Sequence, residues 1–108
     1  MLRIYDNVIT MMPTQRRVLD AIERRDGDLA RQGRKALHSV ALNLGEGSYR
    51  QGRNRRAKYH LAMGSMREVM CVTEVAVAMG YIDRVDAGLV DGMNHVMAVL
   101  VRVVKPTS

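Results

Sequence analysis

The chain has 108 residues, of which 47% are hydrophobic and 26% are charged. This length builds one hydrophobic core and so one domain, residues 1–108, and the composition excludes disordered and fibrous proteins. No apolar run approaches the ~18 residues of a membrane span, so we expect no membrane contact. The single cysteine, Cys71, predicts a reduced, cytoplasmic setting.

Large aromatic side chains are scarce. The chain has four Tyr, no Trp and no Phe, whereas Met occurs nine times. A core of Val, Leu, Met and Ala suits helices that meet along narrow seams, and few alternating stretches remain that could form strands. The sequence therefore predicts an all-α fold.

The first two predicted helices cover about residues 2–24 and 28–49, where apolar residues recur at three- and four-residue steps. Pro13 lacks a backbone N–H and disfavours helix in the residue before it, so we expect a break there. Asp28 follows a glycine and is the expected cap of the second helix.

The third predicted helix covers about residues 54–79, with Asn54 as its cap and Gly80 at its end. Its core stripe is a near-heptad repeat of Ala62/Met63, Met66, Val69/Met70, Thr73 and Ala76/Val77. The fourth covers about residues 84–104, capped by Asp83 or Asp86. Short connections between four helices predict an up-and-down antiparallel bundle. The fourth helix is apolar on two faces, which predicts self-association; its second face holds Val99, Val101 and Val103.

Basic residues are concentrated in the first part of the chain. The net charge is +6, and residues 1–60 hold 13 basic and 6 acidic side chains. Guanidinium groups suit phosphate, so such a cluster is typical of nucleic-acid binding, although a solvated cationic loop has the same composition. The densest stretch contains Arg50, Arg53, Arg55, Arg56 and Lys58.

Catalytic patterns are weak. His38, His60 and His95 lie on three predicted helices without a nearby ligand, and the Glu-x-x-His repeat of a di-metal bundle is missing. Cys71 has no adjacent base and is expected to pack in the core. The sequence predicts no enzyme, metal or cofactor.

Two glycines near the end of the second helix are unusual, because each costs about 1 kcal/mol relative to alanine. We favour close packing at Gly45, helix termination near Gly47, and a facing surface at Gly64 and Ser65. Glu46 would then be a buried or half-buried carboxylate with a cationic partner. A phosphate cradle is the alternative, but the strand that should precede it is missing.

Three blocks of the sequence lie at residues 43–47, 64–68 and 80–81. Together they resemble the bacterial four helix bundle protein family, which includes the proteins of ribosomal-RNA intervening sequences. It also includes relatives of the accessory variability determinant of diversity-generating retroelements. The family pattern is roughly Asn-Ile-Ala-Glu-Gly, Ala-x-Gly-Ser-x-x-Glu and Leu-Gly-Tyr, and the likeness covers about residues 28–104. The matching positions here are Asn43, Gly45, Glu46, Gly47, Gly64, Ser65, Glu68, Gly80 and Tyr81.

The resemblance implies a four-helix protomer that assembles into a ring-like homopentamer. For the retroelement branch it implies binding of nucleic acid and of a reverse transcriptase, whereas this chain looks closer to the intervening-sequence branch. The chain departs from the family at the start of the third helix, where Gln51, Asn54, Arg55 and Lys58 replace a capping pattern and aromatic residues.

Two functions are consistent with these observations. The first is an oligomeric accessory protein that binds RNA or single-stranded DNA through backbone phosphates, with tyrosines stacking on unpaired bases. The second is a structural or protein-interaction assembly protein without a nucleic-acid ligand. The predicted nucleic-acid contacts are Tyr49, Arg50, Arg53, Arg55, Arg56, Lys58 and Tyr59, extended by Arg31, Arg34 and Lys35.

Overall fold

The structure is a computed structural model that describes residues 3–49 and 52–105, without the side chains of residues 3 and 53. The described residues form four helices and no strand, so the predicted all-α class is confirmed. The four helices are α1 (Arg3–Glu23), α2 (Gly27–Ser48), α3 (Gly52–Ala78) and α4 (Ala87–Val104).

Aspartates cap α2 and α4. The side chain of Asp26 accepts a hydrogen bond of 3.0 Å from the backbone N–H of Leu29, and that of Asp86 accepts one of 3.1 Å from Leu89. Each carboxylate thus satisfies an N–H that the first helical turn leaves free. The predicted cap of α2, Asp28, was wrong, and α4 begins three residues later than expected.

The predicted end of α3 is confirmed, whereas its predicted cap is not. The helix begins at Gly52, so Asn54 lies inside its first turn and the predicted cap was wrong. Gly80 ends the helix as expected, with a φ of 75°. The Tyr81 N–H donates to the Ala76 carbonyl over 2.9 Å, which is the bond that closes a helix on a left-handed glycine.

Pro13 does not interrupt α1, which is helical from Arg3 to Glu23, so the predicted break was wrong. The proline removes one hydrogen bond to the carbonyl of Ile9, and both residues are exposed, which leaves water available to that carbonyl. Burial on either side, at Val8 and Leu19, favours a continuous helix.

Side-chain contacts along the seam between α2 and α3 give the relative direction of these two helices. Between α2 and α3, Gly33 lies against Val72, the Ser65 hydroxyl lies 2.7 Å from that of Ser39, and Gly47 lies against Tyr59. Residue numbers rise along α2 while they fall along α3, so the two helices are antiparallel.

Glycines of α2 and α4 also bring α1 close. Gly45 of α2 lies against Tyr5 of α1, and Gly92 of α4 lies against Met11. Each helix packs on the next along the chain, and α4 also packs on α1. These neighbours are those that an up-and-down arrangement requires.

The predicted core stripe of α3 is confirmed at Ala62, Met66, Val69, Thr73 and Ala76, which are buried. Cys71 is exposed, so its expected place in the core was wrong. It lies on the side of α3 opposite that stripe. Gln15 of α1 is 1% exposed, and its side-chain amide nitrogen has no hydrogen-bond partner among the described residues.

Helix α4 is the most apolar of the described helices. By length and composition alone, Ala87–Val104 could cross a membrane, with a mean hydropathy of 1.4, so the expectation of no such apolar run was wrong. The helix packs on the bundle through Leu89, Met93, Val96 and Leu100. A core helix passes the same test of length and composition. Of its second face, Val99 and Val103 are half-buried and Val101 is exposed.

We predict opposite effects of alanine at two helical glycines. A Cβ at Gly47 would lie 2.6 Å from Cε1 of Tyr59, whose ring is buried, whereas a Cβ at Gly64 meets nothing within 4 Å. Gly47→Ala should lower the free energy of unfolding by about 1–3 kcal/mol through overpacking. Gly64→Ala should raise it by up to about 1 kcal/mol through helix propensity. Urea unfolding followed by circular dichroism measures both, and equal effects of the two variants would contradict the packing described.

Candidate nucleic-acid interface

The predicted phosphate-binding residues cluster at the end of the bundle where α2 gives way to α3, which we call the basic tip (residues 49–58). Tyr49 follows α2 directly and is 86% exposed. Arg56 lies in the second turn of α3 and is also exposed. Arg50 lies outside the described residues. Arg53 belongs to the first turn of α3, but its side chain lies outside what the structure describes.

Arg55 is bound to the backbone of α2. Its Nε donates to the carbonyl of Gly47 over 3.2 Å, and its Nη2 lies 3.5 Å from the carbonyl of Ser48. The last carbonyls of a helix have no partner within the helix and carry partial negative charge, so a guanidinium there stabilises the helix end. The expectation that Arg55 is free for phosphate was wrong.

Lys58 forms an ion pair with Glu46, with 2.6 Å between Nζ and Oε2. The expected cationic partner of Glu46 is therefore present, and the carboxylate is half-exposed. This contact ties the second turn of α3 to the last turn of α2. Lys58 therefore serves the packing of the tip, and its predicted contact with phosphate would compete with this ion pair.

Tyr59 is 2% exposed, with its ring against Gly47. No nucleobase can reach a ring buried in this way, so the prediction that Tyr59 stacks on bases was wrong. Tyr49 keeps that possibility because most of its surface faces solvent. The two tyrosines were indistinguishable in sequence because both flank the same basic stretch.

The predicted nucleic-acid contacts on α2 are Arg31, Arg34 and Lys35, and two of these three residues form ion pairs. Arg34 pairs with Asp20 over 2.9 Å and also with Glu23, and the hydrogen bonds to Glu23 and then Asp20 raise the pKa of Arg34. Arg34 therefore joins α2 to α1, and its predicted contact with phosphate would compete with two carboxylates. Arg31 lies 3.4 Å from Asp28, both being exposed, and Lys35 is exposed without an ion pair to any described carboxylate.

The residues of the blocks that carry the family resemblance lie in several different places, and only some of them serve packing. Asn43 donates to the carbonyl of Ser39 over 2.9 Å, and Ser65 meets the hydroxyl of Ser39. The expected contact of Gly64 and Ser65 with Gly45 was wrong, because Gly45 faces Tyr5 and Gly64 faces open space. The remaining members are the exposed Glu68, the helix-ending Gly80 and the half-buried Tyr81.

Sequence reasoning missed a second group of cations at the opposite end of the bundle. Arg17, Arg25 and Arg84 line a surface concavity of about 560 Å³ between α1 and the connection from α3 to α4. Tyr81 lines it too, with the guanidinium carbon of Arg25 5.8 Å from its ring centre. These arginines are far apart in the chain, so no local cluster in the sequence could reveal them.

Within residues 3–49 and 52–105, no three His, Cys, Asp or Glu side chains come together as a metal site would require. His38, His60 and His95 are all exposed on different helices. Comparisons with protein-family models, with curated proteins and with solved structures give no match for this chain.

Two neighbouring arginines at the tip should separate stability from binding. Arg55→Ala removes hydrogen bonds to the α2 carbonyls and should lower the free energy of unfolding by about 1–2 kcal/mol. Arg56→Ala should change it by less than about 0.5 kcal/mol, because this side chain is exposed. Urea unfolding of both variants tests the assignment, and an unchanged stability of Arg55→Ala would contradict it.

Proposed function

We propose that this protein is a non-enzymatic, oligomeric accessory protein that binds RNA or single-stranded DNA through backbone phosphates. Its contacts at the basic tip are Tyr49, Arg50, Arg53 and Arg56. The tip is also the N-terminal end of α3, whose first turn contains no acidic residue, so the helix dipole adds to the positive charge.

One observation carries this proposal: most exposed cations are not neutralised within the protomer. Among the described residues, ion pairs to described carboxylates involve Arg31, Arg34 and Lys58. Exposed guanidinium and ammonium groups that lack carboxylate partners attract polyanions and release counterions from them. Those without an ion pair to a described carboxylate are Arg16, Arg17, Arg24, Arg25, Lys35, Arg56, Arg67, Arg84, Arg102 and Lys105.

The proposal includes self-association, which several exposed apolar side chains of α3 support. Leu61 is 54% exposed and Met79 is 60% exposed, and Val75 and Val77 are also exposed. Apolar surface of this kind commonly marks an interface. Assembly would multiply the weak phosphate contacts of one tip through avidity. The number of five subunits and a reverse transcriptase as partner come from the family resemblance alone.

The same apolar surface supports the second candidate, a structural or protein-interaction assembly protein without a nucleic-acid ligand. In that case the cations keep the assembly soluble or meet acidic partners. The two candidates differ in whether the tip binds a polyanion, so a nucleic-acid titration separates them.

We predict that Arg53→Ala with Arg56→Ala weakens binding of a single-stranded RNA 12-mer and reduces its salt dependence. Losing two phosphate contacts should make the slope of log K against log salt shallower by about 1.4. Fluorescence anisotropy at several salt concentrations measures both quantities.

The matched control is Arg67→Ala with Arg102→Ala, which removes the same charge from exposed positions outside the tip. The control should keep most of the wild-type slope. An absence of saturable RNA binding by the wild type at low salt would contradict the proposed function and favour the assembly protein.

A separate prediction concerns self-association. Leu61→Gln with Val75→Gln should lower the average mass measured by sedimentation, because both side chains are exposed on α3 and contribute little to the core. Leu42→Gln is the control, since Leu42 is 64% exposed on α2. A wild type that sediments as a monomer, or equal effects of the two sets, would contradict the proposed α3 interface.

A further inference from the structure

The concavity that Arg17, Arg25 and Arg84 line is built by the end of α3. Gly80 turns the chain through its positive φ, and the connection then returns over the C-terminal half of α1. This brings Arg84 and Arg17 into the lining of one concavity, although the two are far apart in sequence. The volume of about 560 Å³ falls within the range of small-molecule sites.

None of these three arginines forms an ion pair with a described carboxylate. Arg25 lies over the ring of Tyr81, an arrangement that holds a guanidinium without neutralising it. Arg17 donates a hydrogen bond of 3.2 Å to the hydroxyl of Thr14 and keeps its other N–H groups. The concavity therefore presents guanidinium donors from two sides.

The charge of the residues that line the concavity indicates which kind of ligand would bind there. Three arginines and one carboxylate, Asp83, line the site and give it a net charge of +2. A phosphate monoester carries about −1.5 to −2 charges at pH 7 and three terminal oxygens. A diester within a strand carries one charge and two such oxygens. Planar guanidinium groups bind such oxygens in pairs, so the lining matches a monoester better than a diester.

We propose that this concavity binds the phosphate monoester of a nucleotide. Arg17 and Arg84 bind the phosphate from opposite sides, and Arg25, held on Tyr81, adds a third donor group. The rest of the volume accommodates the attached nucleoside. The ligand is either a free nucleoside 5′-monophosphate or the 5′-phosphate at the end of a strand, and only the strand form rests on the proposed function.

The site is separate from the basic tip. Helix α2 runs between the two ends, and its 22 residues span roughly 33 Å. A substitution at one end therefore leaves the other end unchanged, which allows the two proposals to fail independently.

The test is a calorimetric titration of the full chain with adenosine 5′-monophosphate and with adenosine. We expect saturable binding of the monophosphate and none of adenosine. Arg17→Ala and Arg84→Ala should each weaken binding by about tenfold, since each removes charged hydrogen bonds. Asp83→Asn should tighten it, because it removes a negative charge beside the phosphate.

Arg24→Ala is the matched control, because Arg24 is an exposed arginine of the same bundle end that does not line the concavity. It should change the affinity by less than about twofold. Equal loss with Arg24→Ala and Arg17→Ala would reduce the effect to net charge and overturn the site. Equal binding of adenosine, no binding of the monophosphate, or no tightening by Asp83→Asn would also overturn it.

A second arm compares an RNA 12-mer with a 5′-phosphate to the same RNA with a 5′-hydroxyl. Tighter binding of the phosphorylated strand, lost in Arg84→Ala, identifies the strand end as a ligand; equal binding leaves the free nucleotide. Arg53→Ala with Arg56→Ala should leave the monophosphate affinity unchanged. Failure of the tip to bind RNA therefore does not affect the outcome of the monophosphate titration.

Discussion

The close approach of α2 to α3 is the constraint on which the rest of the structure depends. Buried glycines at positions 33 and 47 let the side chains of Val72 and Tyr59 lie directly on the α2 backbone. Dispersion and burial along this seam hold the two longest helices antiparallel, and the hydrogen bond between Ser39 and Ser65 fixes their register. The ends of both helices, and so the basic tip, are placed by this seam.

The same seam divides the cations of the tip into two groups with different roles. Arg55 and Lys58 point back to the end of α2, where one binds carbonyl groups and the other binds Glu46. Arg56, between them in sequence, points to solvent. Helix α3 has four cations between residues 53 and 58 and uses two of them, Arg55 and Lys58, to fix its own position. Arg56 and Tyr49, both exposed, remain available for the proposed contact with a polyanion.

The helices could be predicted from sequence because the apolar steps of α1, α2 and α3 follow the helical period. Their ends were less predictable, since Asp26 and Asp28 both suit a cap and only the backbone path selects one. The exposure of Cys71 follows from the core repeat of α3, because position 71 lies two residues from both Val69 and Thr73 and so on the opposite face. The burial of Tyr59 depends on Gly47, and the arginine concavity depends on pairing across the bundle, so neither is visible in local sequence.

Arginine-selective modification with phenylglyoxal, read by mass spectrometry with and without single-stranded RNA, tests the central claim most directly. We expect Arg56 to react in the free protein and to be protected by RNA. Arg55 should react slowly in both states because its guanidinium is bound to the end of α2. Rapid modification of Arg55, or no protection of Arg56 at saturating RNA, would contradict the division of the tip into structural and binding cations.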